Sequence, residues 1–299
     1  MPTAVSSHDE LSRLSALLGS LTASDLAELY KCGVRYDPEA KTLSLTKEGV
    51  NLARELEWER CLKDPAYFLL DSGLVKSLDR KKKYWCASCR KVLAPEQKRK
   101  MTECPRCKSP VFLQDPVQPF PSDKPYLYDI IHVLATEETI ALPKSREMLA
   151  TEIVCSWIFY CGMFEKGTQA IIQSEQEQKA AMGVERIHGY WSRLPEWMKR
   201  RRDANPSVKG DTIYNRFEIP ATHFTVEGLA QGEHQIREKH PTIYFGDEMS
   251  YWPRAAETYG AVRPITERGC QMILVSTAAD GGGGPMFRAV CLDELDSVA

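Results

Sequence analysis

The sequence predicts an α/β protein. A mainly parallel sheet is flanked by helices, a helical segment precedes it, and a four-cysteine ribbon is inserted between the two. Three observations carry that expectation. From about residue 126 onward, short apolar runs alternate with helical patterns, as they do when strands are joined through crossover helices and buried on both faces. Two of those runs break off into chemistry: Thr242–Phe245 leads into Asp247-Glu248, and Ile140–Pro143 into Lys144-Ser145-Arg146, with Thr151 seven residues after the lysine. Third, Cys86-x2-Cys89-x14-Cys104-x2-Cys107 has the spacing of two metal knuckles.

The first 79 residues read as a mainly helical segment. Leu11, Leu14, Leu17, Leu18 and Leu21 recur at helical spacing, Arg35–Leu45 holds a turn and a possible short strand, and Lys47–Leu62 reads as a helix. Asp64-Pro65 ends it, because proline cannot extend the helix before it. Residues 80–113 form the ribbon. Four thiolates can surround one Zn²⁺ tetrahedrally, and a complete sulfur shell leaves no position open for catalysis, so the ion is expected to be structural.

Charge is distributed unevenly. Residues 80–108 carry eleven Lys or Arg against two acids, a net +9 in a chain whose total is −2. Such a cationic module on an acidic body can meet nucleic acid locally. Lys81, Lys82 and Lys83 are candidate DNA contacts, as are Arg200, Arg201 and Arg202 in a basic loop near residues 199–210. A solvated basic surface is the alternative reading of both runs, and a subunit-docking surface is a further alternative for the ribbon.

Residues 114–125 contain four prolines and read as an extended linker, which leaves 126–299 as the core. There Thr139–Leu142, Thr168–Ile172, Thr242–Phe245 and Gln271–Ser276 read as strands, and Ile213–Val226 as one or two more around Pro220. Glu147–Phe164 reads as a helix, and Ser174-Glu-Gln-Glu177 as a capping box that opens the next one. Ligands of such sheets bind beyond the carboxyl ends of the strands. Three strand ends offer chemistry together: Lys144 to Thr151, Asp247-Glu248, and Ser276-Thr277. A carboxylate pair beside a lysine, an arginine and a hydroxyl suits a phosphate–Mg²⁺ site that aims a water at a γ-phosphate.

These residues resemble the ATPase domain of viral DNA-packaging terminase large subunits over roughly residues 58–290. The resemblance rests on Trp58–Asp71, on Lys144 through Thr151 as a deviant phosphate loop, and on Ser174–Trp197 ending in Leu-Pro-x-Trp. It rests also on Gln231–Arg237 leading to His240–Glu248, and on Ser276-Thr277 followed by Gly281–Gly284. It implies a P-loop NTPase-like fold of the additional-strand (ASCE) type and an Mg²⁺-dependent ATPase that packages double-stranded DNA. By resemblance, Lys144 and Ser145 belong to the phosphate site, Arg146 contacts the γ-phosphate as a finger within the chain, and Thr151 and Asp247 hold Mg²⁺. Glu248 is the catalytic carboxylate, and Ser276 and Thr277 couple hydrolysis to motion. Further implications are a homo-oligomeric ring, a portal and a small terminase subunit as partners, and a place in the host cytoplasm, transiently at the procapsid portal. The family's nuclease domain is not expected in this chain.

A second reading stays open. No glycine lies between Lys144 and Thr151, whereas a phosphate-wrapping loop ordinarily needs them. The chain could instead be a nucleotide-silent DNA-binding or assembly module that retains the ATPase fold. The six histidines lack paired metal spacing. Tyr244, Phe245, Tyr251 and Trp252 read as core or as an adenine shelf. No uninterrupted apolar stretch reaches membrane-spanning length.

Overall fold

The computed structural model describes residues 34–37, 42–45, 47–78, 83–93, 101–200, 215–236, 239–277 and 284–294. The leucine pattern at 11–21, together with Lys81, Lys82, Arg201, Arg202 and Gly281–Gly283, lies outside them.

The described chain opens with an antiparallel pair, β1 (Val34–Asp37) and β2 (Thr42–Leu45), followed by α1 (Lys47–Lys63). Asp64 stops α1 and accepts the Tyr67 N–H on its carboxylate at 2.8 Å. This starts a π-type turn, Tyr67–Asp71, that buries Phe68, Leu69 and Leu70. The ribbon comes next. It leaves the body from β3 (Lys76–Leu78), runs through β4 (Tyr84–Cys86), β5 (Lys91–Leu93) and β6 (Val111–Leu113), and returns along β7 (Val117–Pro119). β3 and β7 pair antiparallel, so part of the proline-rich stretch is a strand that ties the foot of the insertion.

The core then follows as α2 (Pro125–Thr136), β8 (Thr139–Lys144), α3 (Ala150–Phe164), β9 (Gln169–Ser174), α4 (Glu177–Arg193) and α5 (Glu196–Arg200). It continues with β10 (Arg216–Ile219), a 3₁₀ turn at Pro220–Thr222, β11 (Phe224–Ala230), α6 (Glu233–Ile236) and β12 (Ile243–Asp247). The last elements are α7 (Ala255–Thr266), β13 (Gln271–Thr277) and α8 (Pro285–Leu292). One six-stranded sheet has the order β10-β11-β9-β12-β13-β8. Every pairing is parallel except the edge hairpin β10–β11. The fold is thus α/β, with a mainly parallel sheet flanked by helices.

Pleating explains why the strands read as continuous apolar runs. Successive side chains point to opposite faces, and both faces are covered. Phe245, Ile273 and Val275 join the cluster with Ile153, Ile158 and Val184 on one side. Tyr244, Met272 and Leu274 join Tyr259, Val262, Met286 and Phe287 on the other. α4 lies close against β11 at Gly228, where a Cβ would come within 2.9 Å of the Ala180 carbonyl carbon. A larger residue there would push against helix backbone.

Two local expectations are corrected. The helix expected from Glu147 begins at Ala150, because Glu147 (φ 66°) and Leu149 (φ 56°) adopt left-handed backbone. The capping box at Ser174 does not form. Ser174 continues β9 opposite Ala230, and Gln176 precedes the helix without a side-chain cap. Pairing with β11 outweighs the local capping preference.

Candidate active site and cysteine cluster

Topology assembles the site. β13 lies between β8 and β12, with Thr277 level with Lys144 and Val275 level with Asp247. The three strands end together, so residues separated by more than a hundred positions meet.

Glu248 is the hub. It follows β12 in left-handed backbone (φ 58°), and its N–H donates to the Val275 carbonyl at 2.7 Å. Lys144 Nζ donates to Glu248 Oε1 at 2.7 Å and to Thr277 Oγ1 at 3.2 Å. The Thr277 N–H donates to Glu248 Oε2 at 3.0 Å, and the Thr277 hydroxyl lies 3.3 Å from Oε1. Ser276 Oγ lies 3.4 Å from Oε2 and accepts the Ser250 N–H at 3.0 Å. Burial alone would raise the Glu248 carboxyl. The bonds from Lys144 and Thr277 outweigh it and hold the group below the usual carboxylate range.

Asp247 behaves oppositely. Burial pushes its carboxyl up, the Thr151 hydroxyl opposes this, and the neighbouring Glu248 charge adds to the rise. Thr151 Oγ1 donates to Asp247 Oδ1 at 2.9 Å. Together they present a hydroxyl and a carboxylate, the hard oxygen donors that Mg²⁺ takes, so the donor set fits that ion. The Asp247 carbonyl is fixed from both sides, by Ser174 Oγ at 3.4 Å and Trp252 Nε1 at 3.1 Å.

An open cleft of about 530 Å³ lies over these groups, lined by Lys144, Arg146, Glu147, Glu175, Lys179, Glu248, Tyr251 and Thr277. That volume suits a nucleotide-sized ligand. Arg146 is exposed at its lip, and Ser145, also exposed, turns its N–H to Met148 Sδ at 3.4 Å.

Several groups lay beyond sequence reasoning. Lys179, ion-paired with Glu175 four residues before it, brings a further cation to the cleft. Glu152 accepts Arg186 Nε at 2.6 Å and the Tyr190 hydroxyl at 2.6 Å, bracing the start of α3 against α4 directly behind Thr151. The strand-end rule that picked out Lys144 and Asp247 applies equally to Ser174-Glu175. It was obscured because the same residues also spell a helix cap. Tyr251, 45% exposed, lines the cleft, whereas Tyr244, Phe245 and Trp252 are buried.

The second cluster is separate. Cys86, Cys89, Cys104 and Cys107 place their sulfurs all within 4.8 Å of one another. Cys86–Cys107 measures 3.5 Å and Cys89–Cys104 3.9 Å. A tetrahedron with Zn–S bonds of about 2.3 Å has edges of about 3.8 Å, so the four thiols fit one zinc ion. Lys83 stands at the start of β4. Arg200 ends α5, and its side chain lies outside the described residues.

With this geometry the chain is an α/β protein whose cleft at the carboxyl ends of parallel strands is lined by Glu147, Glu175 and Glu248, by Lys144, Lys179 and Arg146, and by the hydroxyls of Tyr251 and Thr277. No family model matches it, and no curated protein matches it. Among solved structures it is similar to the large terminase of bacteriophage HK97, at 15% identity and a TM-score of 0.45, over 60% of this chain and 38% of that one. It is also similar to the large terminase ATPase domain of Thermus phage P74-26, at 14% identity and a TM-score of 0.35, over 52% of this chain and 70% of that one. The match therefore spans well under half the length of the HK97 protein. Among the described residues, no helix is long and apolar enough to cross a membrane.

Proposed function

We propose that this chain is the ATP-hydrolysing motor domain of a terminase large subunit, driving double-stranded viral DNA into a procapsid. One observation carries the reading: Lys144, Glu248 and Thr277 form a single hydrogen-bonded group at the mouth of a nucleotide-sized cleft, with Thr151–Asp247 beside it.

The residues divide the work as follows. Lys144 binds the β/γ-phosphates, Arg146 reaches the γ-phosphate from the lip, and Thr151 and Asp247 hold Mg²⁺. When bound, the ion neutralises charge on the β/γ oxygens. Glu248 receives the proton of the attacking water. In the resting chain Glu248 is a poor base, because Lys144 and Thr277 depress its pKa. A triphosphate competes for Lys144. As the lysine moves to phosphate, Glu248 loses its strongest partner and its basicity rises at the moment a base is needed. The Thr277 N–H still holds Oε2, so a change at Glu248 is felt directly by β13. This gives Ser276 and Thr277 their coupling role.

A neighbouring subunit in a ring completes each site, and portal and small-subunit contacts follow from the same reading, as does a place in the host cytoplasm. The four cysteines hold a structural zinc. The nucleotide-silent alternative draws on the lack of glycine between Lys144 and Thr151. Against it stand the left-handed turns at Glu147 and Leu149, the conformations that glycine would otherwise supply.

The test is Mg²⁺-dependent ATP hydrolysis by the purified chain, with and without duplex DNA, beside Lys144→Ala. Turnover that falls about a hundredfold in the variant is expected. No turnover and no nucleotide binding at high protein concentration with DNA present would establish the silent module instead.

A further inference from the structure

The ribbon carries an exposed apolar face that the ATPase reading does not use. Trp85, at the centre of β4, pairs directly with Val92 on β5 and with Phe112 on β6. Directly opposed residues project from the same face of a sheet, so the three side chains form one continuous patch. All are open to solvent: Trp85 is 39% exposed, Val92 48% and Phe112 61%. The opposite face carries Tyr84 and Cys86, both buried on the side of the cysteine cluster, with Leu113 exposed at its edge opposite Tyr84.

The surroundings are cationic. Arg90 stands in the turn before β5, Arg106 lies within the second knuckle and Lys108 follows it, all three exposed; Lys91, opposite Cys86, projects from the other face. They belong to the 80–108 segment with its net +9. A protein partner could cover an apolar patch, but this density of positive charge selects a polyanion. Among polyanions, the two rings discriminate further. Duplex DNA presents phosphates and base edges, and its base faces are stacked on one another. An aromatic platform gains most from bases whose faces are free, as in sheet-based and groove-based readers of single strands.

We infer that the Trp85–Val92–Phe112 face is a binding platform for single-stranded nucleic acid, stacking unpaired bases on Trp85 and Phe112 while the surrounding Lys and Arg hold the phosphates. It is independent of the ATP site and needs no sequence preference, since every base has a π-face.

The experiment measures binding of the full, zinc-loaded chain to fluorescently labelled oligo-dT and to a duplex of equal length, at one salt concentration. Phe112→Ala is the leading variant: its ring lies mostly in solvent, 61% exposed, so the fold tolerates its loss. Phe112→Ala and Trp85→Ala should each weaken oligo-dT binding about tenfold, leaving duplex affinity and bound zinc unchanged, and Trp85→Phe should retain most of it. Oligo-dT affinity within twofold of wild type in Phe112→Ala would overturn the inference. So would an equal loss for duplex and single strand. A change confined to self-association or protein capture, with oligo-dT binding intact, would assign the face to a protein partner and overturn it too.

Discussion

Replacing Glu248 with glutamine separates a catalytic carboxylate from a structural one. Lys144 Nζ lies 2.7 Å from Glu248 Oε1, with the two side chains 12% and 32% exposed. Glutamine keeps the shape and an oxygen for the Thr277 N–H but removes the charge. The amide nitrogen, a donor, then faces Lys144, so the charge-assisted hydrogen bond to the lysine is lost, which loosens its hold by about 1 kcal/mol. Two consequences oppose each other. Lys144 no longer has to leave an anion to reach phosphate, so ATP should bind about fivefold more tightly. The water loses its proton acceptor, so turnover should fall at least about a hundredfold, or about 2.7 kcal/mol of barrier. Steady-state hydrolysis with a fluorescent-nucleotide titration reads both quantities. Turnover within threefold of wild type would refute the assignment. So would nucleotide affinity that falls in parallel with turnover, because Glu248 would then be merely a scaffold for Lys144.

Three further outcomes follow from the geometry. Thr151→Ala removes the hydroxyl 2.9 Å from Asp247 and should raise the Mg²⁺ concentration for half-maximal hydrolysis about tenfold, with Thr151→Ser close to wild type. A pair of variants at Glu147, where φ is 66°, isolates the backbone. Glycine should be more stable than alanine by about 0.5–1 kcal/mol in urea unfolding, whereas at a right-handed position alanine would be the more stable. Cys104→Ser should abolish retention of the one zinc per chain expected by metal analysis; retention of zinc by that variant would show that the four sulfurs are not its shell.

The legible parts of this protein are those encoded by local pattern. The strands of Thr139–Lys144, Gln169–Ser174, Ile243–Asp247 and Gln271–Thr277 announced themselves as apolar runs because they are buried on both faces. The cysteine cluster was legible from spacing, since a knuckle is a local turn. Asp247-Glu248 and Lys144 stood out because polar residues break off an apolar run at a strand end. Less legible was anything decided by competition between distant segments. Ser174 spells a helix cap, yet pairing with β11 keeps it in β9, where its hydroxyl reaches the Asp247 carbonyl instead.

The sequence by itself determined the residue types at each strand end, the α/β class and the four-sulfur set. Those rest on periodicity and spacing, which are properties of the chain read in order. Only the tertiary structure decided that β13 lies between β8 and β12. That placement brings Lys144, Glu248 and Thr277 within hydrogen-bonding reach across more than a hundred residues. It also decided that Glu147 and Leu149 supply left-handed turns without glycine, and that Trp85, Val92 and Phe112 share one open face. The physical reason is common to all three. Strand order, register and backbone handedness are set by the packing of the whole sheet and its covering helices, and no local stretch carries that information.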